Sequence, residues 1–189
     1  MGIKPGQIVD SFLVEGKKVV LRYPKLSDTK GVHKFFNKAI TQSLSVGGQL
    51  SRLTPVTLKE EKQWVKEAVG KNKLKKAVYL LGVCNESVIA SITIEKNSDQ
   101  DSGHVGDFGI VLLEEFTGKG LGKKIANKII SIGEKDLKLN TITLHVFGRN
   151  KRAQLFYKKL GFKEFGRIRN GINIKDKYTD NIFMVKYLE

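Results

Sequence analysis

Cysteine is nearly absent from this chain of 189 residues: Cys84 stands alone. One cysteine can neither close an intrachain disulfide nor build a thiolate zinc site. It lies in an apolar run with no histidine nearby, so it reads as core rather than as a nucleophile. Histidine is also scarce, and His104 and His145 have no partner at metal-ligand spacing. No apolar run approaches the roughly 20 residues that a membrane-spanning helix needs. The opening MGIKPGQIVD lacks the apolar stretch of a secretory signal and the Ser/Thr of a myristoylation signal. There is no Pro/Ser-rich linker, repeat or low-complexity tract to mark a domain boundary. These absences describe a single reduced domain, with the cytoplasm as its natural compartment and no membrane as partner.

Acidic residues are few as well, 19 against 34 Lys and Arg, for a formal charge of +15. Such a balance attracts polyanions, whether nucleic acid, acidic protein or a phosphorylated cofactor. The lysines are spread along the whole chain, the pattern of a solvated basic surface rather than of a tail. No RNA-binding motif or interleaved aromatic–basic tract accompanies them. Hydrophobic residues make up 40% and charged residues 28%, which places the chain among globular proteins with a sizeable core.

Hydropathy patterning predicts an α+β order. QIVDSFLV and VVLRYP read as strands around a tight turn at Glu15-Gly16. A helix follows over LSDTKGVHKFFNKAI, with Ser27 and Asp28 as candidate N-caps and Val32, Phe35, Phe36 and Ala39 as its apolar face. QSLSVGGQLSRLTP reads as loop. Thr57 and Glu60 form a capping box for a second helix, whose apolar face runs through Leu58, Trp64, Val65 and Ala68. AVYLLGVCN and SVIASITIEK flank a hairpin turn at Asn85-Glu86, and HVGDFGIVLL is a further strand. A glycine-rich turn leads into a long helix ending at Leu137. TITLHVF is a strand, and NKRAQLFYKKL is a helix with Gly161 at the left-handed position past its end. FKEFGRIRNG and NIFMVKYL close the chain as strands, giving a mixed sheet around a central strand–turn–helix unit.

Taken alone, the turn FTGKGLGKK reads as a tight strand-to-helix turn, with an anion site as the alternative. Its glycines let backbone N–H groups approach an anion, and a helix N-terminus favours one. A nucleotide P-loop would need glycine at position 117, where Thr117 stands, and Ser or Thr at 124, where Lys124 stands. The dinucleotide fingerprint fits Gly118 and Gly120 but fails at Lys123.

Together, EEFTGKGLGKKI and LHVFGRNKRAQLFYKKLGFKEFG resemble the GNAT family of N-acetyltransferases. The resemblance is strong over residues 104–163 and extends over 18–188. It rests on the turn from Thr117 to Gly122 and on Asn150, Ala153, Tyr157, Gly161 and Phe162. It implies a mostly antiparallel central sheet that splays after the fourth core strand and carries about four helices. Residues 18–189 would form the domain, with 1–17 as an extension able to add a strand. It further implies acetyl-coenzyme A as cosubstrate, with its pyrophosphate on backbone groups of Gly118, Lys119, Gly120, Leu121, Gly122 and Lys123. The pantetheine arm would pair with Ile110, Val111 and Leu112, and Asn150 and Lys159 would complete the site. Thr117 replaces the family's Arg or Gln, so affinity is expected to be lower while backbone recognition is kept.

Acyl transfer to an amine needs a base for the ammonium and an acid for the departing thiolate. Tyr157 matches the family's general acid. Its rival role is a packed aromatic beside Phe156. Asp107 is the first candidate base, Glu95 the second and a water chain the third. Asp180 is placed either at the acceptor groove or in a loop bridge. The activity implied is direct acetyl transfer to a primary amine of a protein, peptide or small molecule, by a monomer or homodimer. A basic module with this fold but little activity, associated with nucleic acid or ribosomes, is the alternative.

Overall fold

The computed structural model describes residues 3–45, 50, 52–174 and 176–188. In chain order the strands are β1 (Ile8–Val14), β2 (Lys17–Arg22), β3 (Ala77–Cys84), β4 (Ser87–Lys96), β5 (Val105–Leu112), β6 (Thr141–Phe147), β7 (Lys163–Ile174) and β8 (Lys177–Tyr187). The helices are α1 (Thr29–Ser45), α2 (Leu58–Lys73), α3 (Leu121–Leu137) and α4 (Lys151–Lys159). All eight strands join one sheet in the order β1-β2-β3-β4-β5-β6-β8-β7. Only β5 and β6 pair in parallel; the other neighbours are antiparallel. This is the α+β architecture expected, with helices on both faces.

Local chemistry sets the element ends. Glu15 and Gly16 have positive φ, as do Asn85 and Glu86, the backbone that matches a tight hairpin to strand twist. Thr57 accepts from the Glu60 N–H at 3.2 Å, and Glu60 accepts from the Thr57 N–H at 2.7 Å, closing the capping box. Gly161, at φ +91°, ends α4.

α1 and α2 cover one face of the sheet, where Trp64 meets Tyr79 edge-on at 5.5 Å. α3 covers the other face, where Gly133 lies against Ile94. Leu80, Leu81, Ile92, Ile94, Ile125 and Ile129 are fully buried, each contributing about 1.5–3 kcal/mol relative to exposure.

Four expectations need correction. The loop expected from Gln42 begins later, because α1 runs on to Ser45; Gly47 and Gly48 lie outside the described residues. Leu58 is 45% exposed, since it opens α2 before the helix reaches the sheet. Asp28 does not cap α1. It accepts the Lys25 N–H at 2.8 Å and both ends of the Arg22 guanidinium at 2.7 Å, while residues 26–28 form a short 3-10 turn. The last hairpin is longer than its apolar runs suggested, because β8 begins at Lys177 and pairs with β7 back to Ile174.

The Arg22–Asp28 pair ties β2 to the entry of α1 with side-chain exposures of only 14% and 7%. Asp28→Ala would leave Arg22 charged and unpaired in a dry site. Loss of about 3 kcal/mol is expected, read as a lower urea midpoint with an unchanged m-value.

Candidate active site

The β5–β6 ladder is short. It pairs Val105 with Thr141, Gly106 with Ile142 and Asp107 with Thr143, then stops. Gly106 makes room for the Leu139 side chain over this strand, since a Cβ there would lie 2.6 Å from Leu139 Cδ1. Beyond Asp107, β5 keeps β4 on one side, and β6 keeps β8 on its far side. The β5 edge over Ile110, Val111 and Leu112 therefore faces the gap with no strand partner among the described residues. Such an edge has the backbone groups to pair with an extended, amide-bearing ligand.

The chain leaves β5 through a short 3-10 turn at residues 114–116, closed by a 2.6 Å hydrogen bond from the Thr117 hydroxyl to the Glu114 carbonyl. Lys38 and Gln42 of α1 hold Glu115 of that turn. Gly118 and Gly120 then adopt φ +76° and +77°, with open space where a Cβ would stand. Left-handed residues at this spacing are the backbone pattern from which anion-binding nests are built. The first helical bond of α3 runs from the Lys124 N–H to the Gly120 carbonyl at 3.3 Å. The N–H groups from Gly118 to Lys123 thus lie ahead of the hydrogen-bonded helix, at its positive dipole end. The Leu121 side chain is fully buried and anchors the helix start. Gly122 admits the Phe156 ring, which lies 3.4 Å from where its Cβ would be.

α4 brings an aromatic wall to the gap. Tyr157 lies 6.1 Å from Phe108, 6.0 Å from Phe162 and 5.4 Å from Phe156, ring to ring. It is 8% exposed. Burial pushes its phenol up to about 12, with the negative charge of Asp107 adding in the same direction. It therefore holds its proton at physiological pH.

Asp107 and Glu95 sit opposite each other across the β4–β5 ladder. Glu95 is committed: the Tyr79 hydroxyl donates to one oxygen and Lys71 pairs with the other at 2.5 Å. Asp107 makes no side-chain hydrogen bond among the described residues. Desolvation raises its pKa, His145 lowers it and Glu95 raises it, for a net rise.

On the α1/α2 face, beside β5, opens a cavity of about 800 Å³. Its floor includes Ser91 and Thr93 of β4 and Gly109 to Val111 of β5; its walls include Phe35, Phe36, Trp64 and Glu61. The splay and this cavity thus meet at the same stretch of β5.

The structure brings Tyr157, Asp107, Ile110, Val111, Leu112 and the glycine turn around one strand. It gives other expected residues different surroundings. Lys119 is paired with Glu15 at 2.5 Å. Lys123 is exposed. Asn150 caps α4 by accepting the Ala153 N–H at 3.0 Å. Lys159 is exposed in the last turn of α4, one turn beyond Phe156. Asp180 bridges the last hairpin, accepting from Arg167 at 2.8 Å and from the Asn170 N–H at 3.2 Å. Cys84 is buried. No cluster of metal-ligating side chains occurs among the described residues, and none of their helices is long and apolar enough to cross a membrane. Glu61 was missed by the sequence reading. Its signal was spacing: it precedes Val65 and Ala68 by four and seven positions, a carboxylate on a core stripe.

Residues 18–163 match the family model of the acetyltransferase (GNAT) domain. The chain belongs to that family. It is 28% identical over 112 residues to the L-amino acid N-acetyltransferase AaaT of Escherichia coli (strain K12), a match covering 57% of this chain and 66% of the relative. It is 31% identical over 86 residues to the spermidine N(1)-acetyltransferase of Vibrio cholerae, covering 43% and 50%. The chain therefore matches about half to two thirds of the length of these relatives. The solved structure of RimL, a ribosomal L7/L12 alpha-N-protein acetyltransferase in complex with coenzyme A, superposes with a TM-score of 0.78 at 14% identity, over 96% of this chain and 98% of that one.

The Tyr157 phenol has a native value of about 12 against 10.0 for an ordinary tyrosine. The native state thus keeps a proton that the unfolded state releases, and stability falls as pH rises from 10 to 12. Tyr79 and Tyr23 shift in the same direction, chiefly through burial. Tyr157→Phe is expected to flatten part of this alkaline loss, measured as melting midpoint against pH.

Proposed function

We propose that this protein is an acetyl-coenzyme A-dependent N-acetyltransferase that passes an acetyl group directly to a primary amine. The observation that carries the reading is the unpaired β5 edge running into the N–H nest at Gly118 to Lys123. Edge and nest together suit a ligand with an extended amide arm and a pyrophosphate. The φ values of Gly118 and Gly120, and the empty space at their Cβ positions, fit that group. Acetyl-coenzyme A supplies an activated acyl group and a thiolate leaving group.

The chain's own residues then have distinct tasks. Backbone groups of Ile110 to Leu112 orient the arm. The cavity beside them admits the acceptor. An amine reacts only when neutral, and a free lysine amine has a pKa of about 10.4. Asp107, uncommitted and raised, is the better placed carboxylate to receive its proton, directly or through water; Glu95 is held by Tyr79 and Lys71. Tyr157 keeps its proton on the phenol oxygen for the sulfur. Cys84 is buried, in keeping with direct transfer.

The charge of +15 favours a second reading, a basic nucleic-acid- or ribosome-associated module with little activity. A free-thiol release assay against a panel of amines and peptides separates the two, since a pure binding module releases no coenzyme A above the rate without acceptor.

Gly120→Asp is expected to abolish coenzyme A binding in calorimetry while the protein stays folded, because the new carboxylate projects into open space at the nest. Unchanged affinity would place the phosphates elsewhere. Tyr157→Phe keeps the ring packing and removes the proton. Single-turnover transfer should slow by about 10²-fold, the lower end for acid–base catalysis, because a thiolate is a fair leaving group. A loss below about threefold, too small for a general acid, would return Tyr157 to a packing role.

A further inference from the structure

Glu61 is out of character for its surroundings. It lies on α2 at 5% exposure, beside Val65 and Ala68 on the stripe that packs toward the sheet. Its Oε2 is buried and has no hydrogen-bond partner among the described residues. It nevertheless lines the cavity beside β5. Burial raises its pKa; His33 and Arg52 oppose that rise, and Glu60 adds to it. Neither cation satisfies it directly. Arg52 is bonded to Glu60 at 2.8 Å, and His33 Nε2 lies 3.0 Å from the Val56 carbonyl. A buried carboxylate without a partner is unfavourable unless it takes up a proton or is brought a positive charge, and a cationic ligand in the cavity supplies the second.

The rest of the cavity points to what that is. Three carboxylates, Glu60, Glu61 and Glu67, outnumber its two cations, Arg52 and Lys59, in a chain whose net charge is +15. The local sign is the reverse of the global one. Trp64 adds an aromatic ring to the lining, a group that attracts cations, and its ring is held by the edge-on contact with Tyr79. At about 800 Å³ the space lies within the range of small-molecule sites and well exceeds what a lone amino group fills. Gly109 to Val111 line the cavity from the sheet side and Glu61 from α2.

We infer that this cavity selects acceptors carrying a second cationic group, which the Glu61 carboxylate holds while the reacting amine lies at the β5 edge. The inference rests on the acetyltransferase reading for the location of the reacting amine, not for the ion pair itself. The acceptor class is a diamine or polyamine, or an amine whose own side chain is cationic. A hydrogen-bonded charge pair in a dry site supplies the discrimination.

The test compares cadaverine with n-pentylamine, equal in chain length and different in the second charge. Binding is measured by calorimetry on the full chain saturated with coenzyme A, and transfer by thiol release. Wild type should prefer cadaverine by about 10-fold or more, the worth of a hydrogen bond to a charged group. Glu61→Gln should erase that preference with coenzyme A affinity unchanged. Its melting midpoint should equal or exceed that of wild type, since it removes a buried charge without changing shape. Glu67→Gln, at an exposed position of α2, should alter the preference less than about threefold, below the worth of a buried charged bond. Equal binding of the two amines by wild type overturns the inference without any variant, and so does a preference that survives Glu61→Gln. A Glu61-dependent preference in binding with no transfer to either amine upholds the charge pair but overturns its role in acceptor selection, while the enzymatic reading then rests on the wider panel of amines and peptides. Transfer without such a preference upholds the enzymatic reading and defeats the charge pair.

Discussion

The parallel ladder between β5 and β6 ends at Asp107 and Thr143, and the rest of the site follows from that ending. A sheet that continued pairing would bury both edges and leave no room for a ligand. Because β8 holds β6 and β4 holds β5, the two strands diverge without either losing its place in the sheet. The divergence leaves one β5 edge free, seats the aromatic residues of α4 against Phe108, and aims the chain from Leu112 into the glycine turn. The same strand forms part of the cavity floor on the opposite face.

Desolvation, more than ion pairing, sets the chemistry of the side chains in this region. It is the first cause of the upward shifts at Tyr157, Asp107 and Glu61. The numerous lysines contribute little there, because most are solvated and exposed pairs such as Lys119–Glu15 are nearly neutral in energy. The overall charge is positive, while the carboxylates in the cavity lining outnumber its cations.

The elements were legible where a short-range rule applied. Glu15-Gly16, Asn85-Glu86, the Thr57 capping box and Gly161 all carry their geometry in their residue types. The glycine turn was legible for the same reason, since positive φ at Gly118 and Gly120 is a local property. The end of α1 was not, because Gln42 owes its helical place to contacts with Glu114 and Glu115, more than seventy residues away. Asp28 looked like a cap until Arg22 claimed it across the chain entry. Asp107 stood ahead of Glu95 in the sequence only by its place on the strand before the splay, and the partners of Glu95 add a physical distinction. Glu61 was hidden by its neighbours, because an apolar stripe invites attention to its apolar members.

Phe156 and Tyr157 are consecutive residues, yet they serve two ends of the site. Phe156 rests on Gly122 at the start of α3, and Tyr157 rests on Phe108 in the splay. One peptide unit thus works as a gauge block between the anion-binding turn and the aromatic wall. A displacement of α3 relative to the sheet is handed to the phenol through covalent geometry rather than through a chain of soft contacts. In the proposed complex, the residue packed on the turn that would receive the ligand's charged end and the side chain that would meet its other end are one residue of spacing apart.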